Sequence, residues 1–114
     1  MTDKIGKIEQ VINRVVYNND KAIEIHYVSC GDPDNSCNYH EEALYMTDKR
    51  AFFIAGRGGS ETAWRVIRHD TRDVRFAGGQ GIRPIAEHEA EEWLNRHQAP
   101  EEAYLKMDIP LRNA

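Results

Sequence analysis

A chain of 114 residues with 40% hydrophobic and 30% charged residues has the composition of one globular domain, and its net charge of −4 argues against a uniformly basic nucleic-acid binder. No apolar run approaches the ~18–20 residues of a membrane-spanning helix. The opening residues do not read as a secretory signal, and two cysteines are too few for a disulfide scaffold, so the expectation is a single domain over 1–114, off the membrane and cytoplasmic.

Residues 11–17 are β-branched and aromatic and predict a strand. Asn18-Asn19-Asp20 has turn chemistry, so residues 22–28 read as the hairpin partner, with a short helix as the competing reading. Residues 31–36 read as loop. Residues 43–46 and 51–55 predict two strands joined by the tight connection Thr47-Asp48-Lys49-Arg50, and Gly56-Arg57-Gly58-Gly59 closes the second. Residues 62–68 predict a further strand with Trp64 and Val66 on one face and Arg65 on the other, and Val74 and Phe76 repeat that alternation about Arg75. Gly78-Gly79-Gln80-Gly81 reads as a turn and residues 82–85 as a short extended segment.

The clearest element is a helix over about 87–97. Ala90, Trp93, Leu94 and His97 follow the i, i+3, i+4, i+7 spacing, and Glu87, Glu89, Glu91 and Glu92 crowd its positive end. Pro100 suits a first helical turn and starts a second short helix through about Met107. Strands first and helices last predict an α+β fold: an antiparallel sheet of about four to six strands, followed by one or two C-terminal helices packed on it. The expected core is Val15, Ile23, Ile25, Leu44, Phe52, Ile54, Trp64, Val66, Phe76, Ile85, Ala90, Trp93 and Leu94.

Charge is segregated along the chain. Residues 1–48 hold four Lys/Arg and nine Asp/Glu, residues 49–83 eight and three, and residues 86–114 three and seven. The basic centre is rich in arginine: Arg57, Arg65, Arg68, Arg72 and Arg75, with Arg83 beyond them. Arginine forks bind carboxylate or phosphate bidentately and are favoured at interfaces. The alternatives are an acidic protein partner, nucleic acid, or a solvated face with ordinary cross-strand pairs. On the acidic side, Glu87 and Glu91, with Glu101 and Glu102, form a helix surface that is either solvated or a contact for a basic partner.

Weaker constellations compete with plainer readings. His26, Cys30, Cys37 and His40 offer zinc-compatible donors, but in no zinc-finger spacing, so the expectation is no metal and no cofactor. Asp32, Asp34 and Ser36 resemble the start of a calcium loop that lacks its later ligands. The two glycine runs match neither a P-loop nor a dinucleotide fingerprint, and positive-φ turns are the simpler reading. Cys30 or Cys37 with His40 is the one conceivable nucleophile pair, and no motif supports it, so the expectation is a protein that is not an enzyme.

Four segments carry a family resemblance: Glu42-Ala43-Leu44-Tyr45-Met46-Thr47, Phe52-Phe53-Ile54-Ala55-Gly56-Arg57-Gly58-Gly59, Gly79-Gln80-Gly81-Ile82-Arg83-Pro84-Ile85, and Glu87-His88-Glu89-Ala90-Glu91-Glu92-Trp93-Leu94. In this order they resemble a family of small uncharacterised proteins encoded by bacterial phages, plasmids and integrative elements. The first 38 residues match it loosely, and the stretch from Arg65 to Arg75 is longer and more basic than the family's. The resemblance implies a mobile-element setting, in which antagonists of host defence such as anti-CRISPR proteins are common. Together these readings predict a non-enzymatic accessory protein, monomeric or homodimeric, that binds and inhibits a host protein or ribonucleoprotein complex. The alternative is a nucleic-acid-binding module using the central arginines.

Overall fold

The structure, a computed structural model, describes residues 5–32, 34–69 and 74–114. Arg72, assigned above to the basic group, lies outside them. Among the described residues, eight strands and two α-helices follow in order: β1 (Glu9–Ile12), β2 (Val15–Asn18), β3 (Ile23–Cys30), β4 (His40–Met46), β5 (Phe52–Gly58), β6 (Val66–His69), β7 (Val74–Ala77), β8 (Gly79–Ile85), α1 (Glu87–Arg96) and α2 (Glu101–Lys106), with a short 3-10 turn at Asn19–Lys21. The fold is α+β. An antiparallel sheet of order β3-β4-β5-β8 forms its centre, and the pairs β1-β2 and β6-β7 are separate two-stranded ribbons.

The central sheet buries both faces. Ile25, Leu44, Phe52 and Ile54 meet Ala90, Trp93 and Leu94 of α1 and Ala103 and Met107 at α2. The opposite face, with Ala43, Tyr45, Phe53, Ala55 and Ile82, is covered by Ile5 and Ile8 of the N-terminal segment. Asn19 pins that segment, although it is buried and polar. Its side-chain oxygen accepts the Ile8 N–H at 2.8 Å and its amide donates to the Gly6 carbonyl at 2.6 Å, so its hydrogen-bonding capacity is met inside the protein. Pro84 sits in β8, an edge strand, where a missing N–H costs no ladder bond. Two residues earlier, the Ile82 N–H is taken by the Gln10 side chain at 2.9 Å.

The C-terminal helices match their sequence signals. Ala86 has no side-chain oxygen to cap α1, and the Glu89 carboxylate instead accepts the Ala86 N–H at 2.9 Å. Arg50, at φ +61 in the β4–β5 turn, ties that turn to both helices. It pairs with Glu87 at 2.7 Å and donates to the Met107 carbonyl at 2.7 Å.

Several expectations are corrected. Residues 11–17 are not one strand. Asn13 and Arg14, at φ +51 and +68, make a two-residue turn between β1 and β2, the geometry that matches hairpin twist. Consequently β3 pairs with β4 rather than with the strand before it. The glycine runs are not positive-φ turns, because among the described residues positive φ at glycine occurs at Gly6 and Gly31 and at none of the glycines in the runs. Gly56 and Gly58 instead lie within β5, and Gly79 and Gly81 within β8. Trp64 is not in a strand with Val66; it ends a turned segment just before β6. Four expected core residues are exposed: Val15 at 48%, Ile23 at 53%, Val66 at 38% and Phe76 at 54%. They lie in the two ribbons or at the start of edge strand β3, where no described element covers them.

Candidate interaction surface

The β6-β7 ribbon is set on the sheet by a buried tryptophan. Gly56 and Gly81 face each other across β5 and β8, and the Trp64 ring lies over the gap they leave. A Cβ at Gly56 would stand 2.2 Å from Trp64 Cε2, so glycine is required here for close approach. The Trp64 indole N–H donates to Glu42 Oε2 at 2.8 Å, and the Trp93 indole N–H donates to Glu42 Oε1 at 3.3 Å. One carboxylate, 8% exposed, thereby joins the base of the ribbon to α1 through both of its oxygens. Arg83 lies 5.6 Å from the Trp64 ring centroid, which adds a cation–π contact.

Beyond Trp64 the chain leaves the sheet. In the ribbon Val66 faces Ala77, Ile67 faces Phe76, Arg68 faces Arg75 and His69 faces Val74. Alternation puts Val66, Arg68, Arg75 and Ala77 on one face and Ile67, His69, Val74 and Phe76 on the other. Apart from His69 the second face is apolar, and it is open, with Ile67 56%, Val74 63% and Phe76 54% exposed. Arg65 lies 4.6 Å from the Phe76 centroid. Arg65, Arg68 and Arg75 are all exposed, and none forms an ion pair with a described residue. The molecule measures 57 × 35 × 27 Å, and its radius of gyration of 15.5 Å exceeds the about 13 Å of a compact domain near this length.

The remaining candidate residues lie elsewhere. Arg57 is in β5 and pairs with Glu41 across to β4 at 3.1 Å. Glu87 is engaged by Arg50, and Glu91 is exposed on α1. Of the seven residues singled out, the ribbon thus brings together Arg65, Arg68 and Arg75. Cys30 and His40 face each other across β3 and β4 while Cys37 is exposed in the loop. Among the described residues no group of three or more His, Cys, Asp or Glu side chains is placed to hold a metal ion. Both glycine runs do meet, lining an open pocket of about 430 Å³ with Tyr39, Glu41, Arg57 and Gln80.

Two histidines flank the Glu42 clamp. His97 packs on Trp93 with ring centroids 4.5 Å apart and planes tilted by 55°, and His26 meets Trp93 edge-on at 6.0 Å. Burial lowers both pKa values; His26 is lowered further by His97 and Lys106. For His97, Glu42 opposes the shift while Arg96 and His40 add to it. On the other sheet face, burial pushes the Tyr27 phenol upward, and the neighbouring Glu41 carboxylate adds to that.

Sequence reasoning missed Glu42, Ile67 and Val74. Glu42 is hidden among strand carboxylates, and only its placement two residues from Leu44 on the helix-facing side of β4 could have marked it. Ile67 and Val74 could have been found from the register of the 62–77 hairpin. Comparison with protein-family models, curated proteins and solved structures finds no match to this chain. No helix among the described residues is long and apolar enough to cross a membrane.

Proposed function

We propose that this chain is a non-enzymatic binding module whose contact surface is the β6-β7 ribbon and whose partner is a protein offering acidic groups around an apolar patch. The observation that carries this reading is the pairing, on one ribbon, of three arginines without ion-pair partners among described residues and three more-than-half-exposed apolar side chains. Apolar centres with arginine nearby are the usual composition of protein contacts. The resemblance to phage and plasmid proteins supplies the setting: inhibition of a host protein or ribonucleoprotein complex, with anti-CRISPR activity as one form of it.

The test is capture from bacterial lysate by the tagged full chain, with and without nuclease, alongside the charge-reversed variant Arg65→Glu/Arg68→Glu/Arg75→Glu. The expected result is one stoichiometric protein that survives nuclease, is retained by the wild type and is lost by a variant with unchanged melting temperature. Retention by the variant sinks the ribbon as the contact. A second reading, nucleic-acid binding, is favoured by the Arg68–Arg75 pair, since a two-stranded ribbon fits the major groove. It requires nuclease-sensitive recovery and affinity that falls steeply with salt.

A further inference from the structure

We infer that the β6-β7 ribbon takes its partner as a third β-strand, an extended segment in which acidic and apolar residues alternate. This rests on the protein-binding reading above and specifies the chemistry of the partner.

Among described strands, β6 and β7 pair only with each other, so both outer edges present ladder groups without a strand partner. A two-stranded ribbon is marginally stable in water and gains independent stability from a third strand or a covering layer. The side chains show what that strand must carry. On one face Arg68 stands directly opposite Arg75, an unfavourable juxtaposition of like charges that a carboxylate beside them relieves. On the other face Ile67, Val74 and Phe76 are exposed and need apolar neighbours.

An added strand meets both demands at once, because its successive residues point to opposite faces. A partner helix presents its apolar stripe every three to four residues to one side and answers only one ribbon face. A nucleic-acid duplex answers the arginines and leaves Phe76 uncovered. A second copy of this chain, added edge to edge, sets arginine beside arginine. The acidic, alternating strand is the occupant that fits both faces, and main-chain pairing with side-chain selection on alternate positions is an established mode of peptide capture.

The experiment uses the full chain and three fluorescein-labelled probes at low salt, read by anisotropy. One is a synthetic peptide of alternating Glu and Val, one a block peptide of the same composition with all Glu before all Val, and one a duplex DNA. The alternating peptide should bind at least about tenfold more tightly than the block peptide. Arg68→Glu/Arg75→Glu should weaken it by at least about tenfold, and the milder Arg68→Gln/Arg75→Gln by less. Amide-exchange protection should rise in β6 and β7 when the alternating peptide is added. Equal binding of both peptides, preference for the duplex, or no protection in the ribbon overturns the inference. If arginine-dependent capture of a protein from lysate succeeds while the alternating peptide fails, the third-strand mode falls and the binding function stands. If capture fails as well, the function falls with it.

Discussion

The chain contains two hairpins built from strand-forming residues, and they end differently. The β4-β5 hairpin buries Phe52, Phe53, Ile54 and Ala55 to 4% exposure or less, because helices cover one face and the N-terminal segment the other. The β6-β7 hairpin also carries β-branched and aromatic residues, here interrupted by Arg68 and Arg75 where residues 43–46 and 52–55 of β4-β5 run apolar without a break, and it leaves Ile67, Val74 and Phe76 open. Strand-forming pattern sets the local conformation in both. Burial depends on whether another element reaches the face, and among the described residues covering layers lie on β4-β5 and not on β6-β7. The contrast separates residues buried by packing from residues left exposed, and it can be broken from either side.

The largest expected effect is at the junction between the two hairpins. Replacing Glu42 by leucine leaves the Trp64 and Trp93 indole N–H groups buried without their acceptor. The expected loss is about 2–6 kcal/mol, since each of the two buried indole donors is left without its acceptor at about 1–3 kcal/mol apiece. Adding Trp64→Phe and Trp93→Phe to Glu42→Leu should recover part of the loss, because the stranded donors are then gone. Urea midpoints for the single and triple variants measure both. A loss under about 1 kcal/mol for Glu42→Leu would show that the clamp does not hold the ribbon base to α1.

How much of this was legible in the sequence follows from the same contrast. The β4-β5 hairpin, both helices, the strands-then-helices order and most of the central core could be read, because periodicity and helix-end chemistry are local signals. Asn13-Arg14 hid a turn inside a β-branched run, since neither residue is glycine. Gly56 reads as a turn because its cause, the Trp64 ring packed where a Cβ would stand, is a tertiary contact that no local pattern shows. Val66 and Phe76 were assigned to the core because alternation cannot say what lies across a face. At the candidate surface the arginines were visible, but Arg57 and Glu87 proved to be engaged within the fold.

A smaller effect should appear with pH, and it belongs to the body rather than the ribbon. The pKa values of His26 and His97 are lowered from 6.5, chiefly by burial. Between 6.5 and the lowered values the unfolded chain binds more protons than the folded protein. The stabilising contribution is therefore full above 6.5 and is lost as pH falls through the folded values. Both groups retain solvent contact, so the slope should be shallow. Urea midpoints should fall modestly between about pH 8 and pH 5.5, and His26→Gln/His97→Gln should flatten that fall. An unchanged slope in the double variant would assign the dependence to other groups.

The smallest effect on stability is predicted where the effect on binding is greatest. Ile67→Ser and Phe76→Ser remove more-than-half-exposed apolar side chains from a ribbon that the Trp64 anchor fixes only at its base. Surface changes of this kind alter stability by about 0.5 kcal/mol or less, so both variants should melt with the wild type. In the core, truncating Trp93, 2% exposed, should cost about 3–5 kcal/mol. If the ribbon residues instead destabilise the whole domain, then Ile67 and Phe76 belong to its packing and the hairpin contrast fails. If they leave the melting temperature alone but abolish partner capture, their exposure is functional: the fold sets this apolar surface aside for a partner to bury.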